Sequence, residues 1–335
     1  MKIVFLESGR KEADYVKSKL GKIGKHKIVF FEGELNHNNL SAVKNAEALV
    51  LFIGSKITGD VLKELPKLKY IATMSTGYDH IDIGACKSRG VEVSNVPYYG
   101  ENTVAEHTFG LILNLSRKIY KAIERTKRDD FSLSGLEGFD LKGRTLGVIG
   151  AGHIGQKVIK MARGFDMKVI AYDRTPDRKL MKKLGYSNVS LNNLLKNSDI
   201  ITIHVPLVSG TRHLINMDNI KLIKKGTYLV NTARGEIVDT RALKYALDRE
   251  ILAGAALDVL EGEEDVKDEA ELLKKRVKPS DWETFIRNHL LLKDKDVIVT
   301  PHSAFYSKEA IQRILDTTVE NVKGFLAGRV RNGVA

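Results

Sequence analysis

Residues 145–173, TLGVIGAGHIGQKVIKMARGFDMKVIAYD, constrain this chain more than any other stretch. A short apolar run with Leu146, Val148 and Ile149 has the length and character of a buried strand. Gly150, Gly152 and Gly155 follow in G-x-G-x-x-G spacing, then a helical pattern, a second strand over Val169–Tyr172 and an acid, Asp173. Gly150 permits a tight turn, Gly152 lets backbone approach a pyrophosphate, and Gly155 lets the helix pack close on the strand. The helix start adds free N–H groups and the positive end of a dipole. Asp173 stands 18 positions beyond Gly155, where a carboxylate takes adenosine ribose hydroxyls. Glycine turns are common on their own. Strand, glycines, helix, strand and acid in this order predict dinucleotide binding.

At 335 residues the chain exceeds one ordinary core, so two domains are expected. A hydrophobic share of 43% with 29% charged residues describes a globular protein in water. The opening Met1–Glu7 carries too short an apolar run for a signal peptide. No apolar stretch approaches the ~20 residues of a membrane span, so no membrane partner is expected. The single cysteine, Cys86, excludes an intrachain disulfide and suits a reducing cytoplasm, and with no thiol cluster no metal site is expected. The net charge of +12 is dispersed among acids without a long basic run, which predicts a solvated surface and no nucleic-acid partner. A positive field also favours an anionic cofactor and substrate.

Over residues 1–100, strand-like segments (Lys2–Leu6, Lys27–Phe31, Ala48–Ile53, Tyr70–Met74, Val91–Val96) alternate with helical ones such as Glu12–Leu20 and Asp60–Leu65. The alternation predicts an open, parallel α/β sheet. Val104, Phe109, Leu111, Ile112, Leu115, Ile119 and Ile123 recur at helical spacing and predict one long helix over Glu101–Lys127. A Gly/Ser-rich loop at 131–143 leads into the dinucleotide stretch. Strands recur at Ile200–Val205, Tyr228–Asn231, Ala255–Val259 and Val297–Thr300, which makes a second doubly wound sheet. A last helical pattern, Lys308–Ala327, is expected to return to the first domain. The predicted organisation is a discontinuous substrate domain, 1–100 plus 303–335, around an inserted dinucleotide domain, 101–302.

Three further segments lie at the carboxyl ends of predicted strands, where open α/β sheets hold ligands. They are NTARGEIVD (231–239), GAALDVLEGEE (254–264) and TPHSAF (300–305), and their candidate side chains are one cation, Arg234, two acids, Asp258 and Glu263, and one histidine, His302. Singly each is undistinguished: Arg234 suits a surface charge, Glu263 sits among other acids, and His302 after Pro301 suits a structural turn. Together with STGYDHID (75–82), NTVAEHT (102–108), GAGHIG (150–155) and HVPL (204–207), they resemble the D-isomer-specific 2-hydroxyacid dehydrogenase family over most of the chain. The VP-x-Y run at 96–99 and the long interval before His302 look closest to its D-lactate dehydrogenase-like members.

The resemblance implies an α/β protein with a Rossmann NAD-binding domain inserted into a flavodoxin-like substrate domain. It implies NAD-dependent reduction of a small 2-oxo acid to the D-2-hydroxy acid, pyruvate/D-lactate being the first candidate. By the same resemblance His302 exchanges the proton, Glu263 pairs with it and favours the imidazolium, and Arg234 holds the substrate carboxylate and polarises its carbonyl. Backbone N–H groups of Ser75, Thr76 and Gly77 also hold that carboxylate, Tyr78 and Asp79 stabilise the loop, and Tyr98 or Tyr99 closes over the substrate. For the cofactor it assigns Gly150, Gly152, His153, Ile154 and Gly155 to the pyrophosphate turn and Asp173 to the ribose. Val205, Pro206 and Thr211 go to the adenosine side, Thr232, Ala233 and Asp258 to the nicotinamide, and His107 and His204 to the site's neighbourhood.

Departures from the family pattern bear on specificity. Arg174 follows Asp173 and attracts a 2′-phosphate, which Asp173 repels, so NAD is expected over NADP. Glu264 stands where many relatives have proline, and Met74 where many have a polar residue. The 39 positions from Glu263 to His302 include Trp282 and a charged helical run, Asp265–Lys275. A glyoxylate/hydroxypyruvate reductase on the same scaffold is the alternative enzyme. D-3-phosphoglycerate dehydrogenases often carry a C-terminal regulatory domain, which is not expected in a chain ending at Ala335. Formate dehydrogenase relatives use an uncharged amide in place of Glu263. Corepressors of the C-terminal-binding-protein type keep a complete triad as NAD(H)-sensing interaction modules. A homodimer is the family expectation, with the region from Glu101 onward as its interface.

Overall fold

The structure is a computed structural model that describes residues 1–21, 26–36, 39–263 and 279–334, without the side chains of 279–281. The expected helical run Asp265–Lys275 and the departure at Glu264 lie outside the described residues. The chain forms two compact units, Met1–Tyr99 with Ser307–Ala335, and Gly100–Tyr306.

In the first unit β1 (Lys2–Phe5), β2 (Lys27–Phe30), β3 (Ala48–Leu51), β4 (Tyr70–Thr73) and β5 (Glu92–Ser94) lie in the order β2-β1-β3-β4-β5, all parallel. This is the flavodoxin-like winding. Strands β3 (ALVL) and β4 (YIAT) are buried throughout, because helices cover both faces of a parallel sheet. Helix Gly59–Lys63 begins at Thr58 and helix Ile83–Ser88 at Asp82, side chains that accept from otherwise orphaned N–H groups. Helix Lys308–Leu326 belongs to this unit and stacks Phe325 on Tyr70 at 4.2 Å between ring centres. Its Asp316 accepts from the Tyr15 hydroxyl of helix Arg10–Leu20.

The second unit holds β6 (Thr145–Ile149), β7 (Lys168–Tyr172), β8 (Ser187–Asn188), β9 (Ile200–Ile203), β10 (Thr227–Asn231), β11 (Leu252–Leu257) and β12 (Val297–Val299). Their order is β12-β11-β10-β9-β6-β7-β8, again all parallel. This is the Rossmann winding with one further strand, and its direction reverses between β6 and β9. Strand β8 has no apolar pattern, and the sequence did not predict it.

The single helix expected over Glu101–Lys127 is two helices, Glu101–Arg117 and Ile119–Thr126. Lys118 between them is left-handed, with φ 51°. Groups outside the local helical ladder hold the break. The Ser116 carbonyl accepts from Phe139 N at 2.9 Å, and Tyr120 N donates to the Asn114 side chain at 3.2 Å. A loop distant in sequence thus captures a carbonyl that a continuous helix would have used, which periodicity alone does not reveal. Val104, Phe109, Leu111, Ile112 and Leu115 enter the core, whereas Ile119 and Ile123 beyond the break are 41% and 47% exposed.

Candidate functional site

The reversal between β6 and β9 brings two loops together in the second unit. Gly150, with φ +95°, ends β6, and a Cβ there would lie 2.8 Å from Val205 Cγ1 and 2.9 Å from the His204 carbonyl carbon. A Cβ on Gly155 would lie 2.0 Å from the Gly150 carbonyl oxygen, so helix His153–Gly164 rests directly on the turn. The Cβ position of Gly152, immediately before the helix, is open for 4 Å. His153 starts the helix, and Ile154 packs against the core beside it. Asp173, after β7, accepts from Ala151 N and from Thr175 N, both at 2.9 Å. Its negative charge is therefore pinned against the glycine turn.

The His204 ring meets Thr202 Oγ1 at 2.9 Å through Nε2, while Nδ1 is buried and has no partner among the described residues. Burial pushes this imidazole down to about 3, so the ring is neutral at physiological pH. A buried orphan nitrogen at a switch point is a group that a ligand can satisfy. Open backbone approach at a helix start, a fixed carboxylate and this nitrogen fit a dinucleotide. Thr211 donates to Pro206 O at 2.6 Å and accepts from Val208 N at 2.9 Å, so its hydroxyl closes the turn after Val205 and Pro206. Arg174 reaches the same turn, with Nη1 3.7 Å from the Cβ position of Gly210.

The loops after neighbouring strands β10, β11 and β12 carry the candidate side chains Arg234, Glu263 and His302. His302 Nδ1 and Glu263 Oε1 are 2.7 Å apart, with the side chains 15% and 23% exposed. An ionised carboxylate only accepts, so Nδ1 carries the hydrogen in this pair. His302 is held left-handed at φ 54°, its N–H donating to the carbonyls of Asp258 and Thr300 at 2.9 Å each. The Asp258 carboxylate is 1% exposed in its side chain and accepts from Thr300 Oγ1 at 2.5 Å and from Ser303 N and Ala304 N at 2.9 Å. It therefore fixes the loop that carries His302. His107, on helix Glu101–Arg117, reaches this carboxylate at 3.5 Å.

Arg234 follows β10. Asn231 shapes its loop by donating to Arg234 O at 2.8 Å and accepting from Ala233 N at 3.0 Å. Thr232 is 8% exposed, and its hydroxyl lies 3.0 Å from that of Thr108. A Cβ on Gly235 would lie 2.0 Å from the Leu260 carbonyl carbon, which keeps the Arg234 loop against the segment leading to Glu263. Asn231, Thr108 and Thr300 lie within the quoted motifs, but the sequence reading gave them no role of their own.

Glu236 sits behind this loop. Burial raises its carboxyl above the usual range, and the neighbouring Glu261 and Glu263 carboxylates raise it further. Folding therefore favours its protonated form, and its ionisation costs stability as pH rises from about 4.3, the unfolded value, through the raised folded value. Glu236→Gln, which mimics the protonated form, should raise Tm at pH 8, and the gain should vanish below pH ~4. Equal Tm values at pH 8, in parallel calorimetric scans, would rule this out.

The remaining candidates lie in the first unit, after β4. Ser75 Oγ donates to Gly77 O at 2.6 Å and lies 2.7 Å from Thr73 Oγ1. Thr76 Oγ1 donates to Val96 O at 2.8 Å. These bonds shape a loop whose side chains are occupied internally. Tyr78 and Tyr98 are 40% and 59% exposed, and the Tyr99 carbonyl accepts from Arg313 Nη1 at 2.5 Å. At the β1/β3 reversal Glu7 accepts from Phe52 N and Gly54 N at 2.9 Å and from Ser55 Oγ at 2.6 Å, a clamp the sequence did not announce.

Residues 109–304 match the model of the D-isomer specific 2-hydroxyacid dehydrogenase, NAD binding domain. The chain is 37% identical to a 2-hydroxyacid dehydrogenase homolog (homolog 2) of Schizosaccharomyces pombe, across 92% of each chain. It is 35% identical to a glyoxylate reductase of Thermococcus litoralis, across 87% of this chain and 84% of that one. Among solved structures, D-lactate dehydrogenase from Aquifex aeolicus complexed with NAD and lactic acid is similar with a TM-score of 0.87 and 36% identity, over 97% of this chain and 96% of that one. Among the described residues no helix is long and apolar enough to cross a membrane.

Proposed function

The chain belongs to the D-isomer-specific 2-hydroxyacid dehydrogenases, NAD-dependent oxidoreductases, and on that premise we propose that it reduces pyruvate to D-lactate with NADH. The observation that carries the chemistry is the 2.7 Å pair of His302 and Glu263 beside the Arg234 loop. Similarity to a D-lactate dehydrogenase with lactic acid bound favours pyruvate as the substrate.

When bound, a reduced nicotinamide supplies the hydride that the carbonyl carbon takes. His302 gives the Nε2 proton to the carbonyl oxygen as the hydroxyl forms, and takes it back in oxidation. Glu263 holds the ring through Nδ1 and balances the charge of the imidazolium. Arg234 binds the substrate carboxylate with its forked donors and polarises the carbonyl. The Ser75–Gly77 loop of the first unit is proposed to offer backbone N–H groups to a substrate carboxylate. Gly150, Gly152 and Gly155 receive the pyrophosphate at the helix start, and Asp173 takes the ribose hydroxyls. Its fixed charge repels a 2′-phosphate, so NAD is preferred to NADP despite Arg174. Thr232, Ala233 and Asp258 border the nicotinamide, and Val205, Pro206 and Thr211 the adenosine.

A homodimer is proposed on the exposed apolar group Ile119, Tyr120, Ile123, Phe131 and Leu133, the last 82% exposed. The lone buried Cys86 suits a reducing cytoplasm as the site of action. The deciding experiment measures initial rates of NADH and NADPH oxidation with pyruvate, glyoxylate, hydroxypyruvate, phenylpyruvate and 3-phosphohydroxypyruvate. The highest kcat/KM should come with pyruvate and NADH, the product being D-lactate, from a preparation that sediments as a dimer. Preference for glyoxylate or hydroxypyruvate would give the reductase reading that the Thermococcus relative favours. No turnover despite NADH binding would leave a cofactor-sensing module.

A further inference from the structure

In the first unit a chain of amides runs from residues 321–334 to the Ser75–Gly77 loop. Residues 332–334 lie antiparallel along β5, the edge strand of the sheet, bridging Ser94 to Gly333. Val334 N donates to Val93 O at 2.8 Å, and Asn95 N donates to Asn332 O at 3.1 Å. The Asn332 amide donates to Asn321 Oδ1 at 2.8 Å, and the Asn321 amide donates to Asn95 O at 2.8 Å. The Asn95 amide then donates to Thr76 O, also at 2.8 Å. Asn321 is fully buried and Asn95 is 7% exposed, whereas Asn332 is exposed, so the Asn321–Asn95 bond forms away from water, where an unmade one is costly, and the bonds at either end are half-buried.

Two features mark the arrangement as built for this crossing. Asn332 has φ 50°, a left-handed conformation that asparagine tolerates better than most side chains. A Cβ on Gly324 would lie 2.6 Å from Arg329 O, so only glycine lets the segment fold back across helix Lys308–Leu326. Ser94 Oγ donates to Arg331 O at 2.6 Å and ties down the near end of the same segment.

We propose that Asn332 and Asn321 are positioning residues for substrate binding, fixing Asn95 and through it the backbone of the Ser75–Gly77 loop. The proposal rests on the reading of that loop as a holder of the substrate carboxylate. Losing the Asn332 amide loosens the loop and weakens the grip on the 2-oxo acid, while the dinucleotide turn and His302 lie in the other unit.

Asn332→Gly keeps the left-handed backbone and removes the amide; Asn332→Asp keeps the size and removes the donor. Both should raise KM for the 2-oxo acid by about fivefold, the worth of one hydrogen bond, with kcat and NADH affinity unchanged. A fall in Tm with KM unchanged in both variants would overturn the proposal, leaving the segment a purely structural strap. The Gly77 amide signal of the wild-type protein with NADH, followed by NMR as oxamate is added, tests the underlying reading. A shift there with unchanged KM in the variants sinks only the positioning role. No shift at Gly77 sinks the carboxylate reading and the proposal with it.

Discussion

Replacing His302 with Ala should lower kcat for 2-oxo acid reduction by about 10²–10⁴-fold, while NADH binds as before. The size follows from removing the proton donor, so that water must protonate a carbonyl oxygen that gains charge as hydride arrives. Cofactor affinity should persist because the glycine turn follows β6 and Asp173 follows β7, whereas His302 follows β12 at the far edge of the sheet. The substitution also leaves Glu263 without the ring at 2.7 Å, so thermal unfolding of the variant must be compared. His302→Gln, which fills the space without a titratable nitrogen, separates the two effects. Stopped-flow reduction by either variant at the wild-type rate would remove His302 from the chemistry.

Arg234→Lys should lower kcat/KM for the 2-oxo acid by roughly 10- to 100-fold, with charge conserved. That range corresponds to about 1.5–3 kcal/mol, the worth of a hydrogen bond to a charged group. Lysine offers a point charge on a flexible stem, whereas a planar fork meets carboxylate and carbonyl oxygens together. The loop cannot easily shift to compensate. Asn231 holds the Arg234 carbonyl at 2.8 Å, and Gly235 lies directly against the Leu260 backbone. Steady-state kinetics with NADH saturating would test this, and a lysine variant within about twofold of wild type would refute the bidentate role.

Features that rest on local spacing were legible from the residues alone. The glycine interval, the apolar runs of buried parallel strands and the acid after the second strand are each confined to a few neighbouring positions, and they predicted two doubly wound sheets. Strand ends were less legible: Val91–Val96 was expected and β5 spans Glu92–Ser94, since the ends depend on where partners stop pairing. The two-residue strand β8 has no pattern to read, and the break at Lys118 depends on Phe139, 21 positions away. How the marked residues meet follows from strand pairing. Glu263 and His302 are 39 positions apart and are brought to 2.7 Å because β11 and β12 pair in parallel, so both following loops leave the same edge. Folding likewise turned Asp258 into the anchor of the His302 loop and linked Asn332 to Thr76 through two buried amides. Hydrogen bonds between residues far apart in the chain leave no periodicity, and only the folded sheet specifies which ones form.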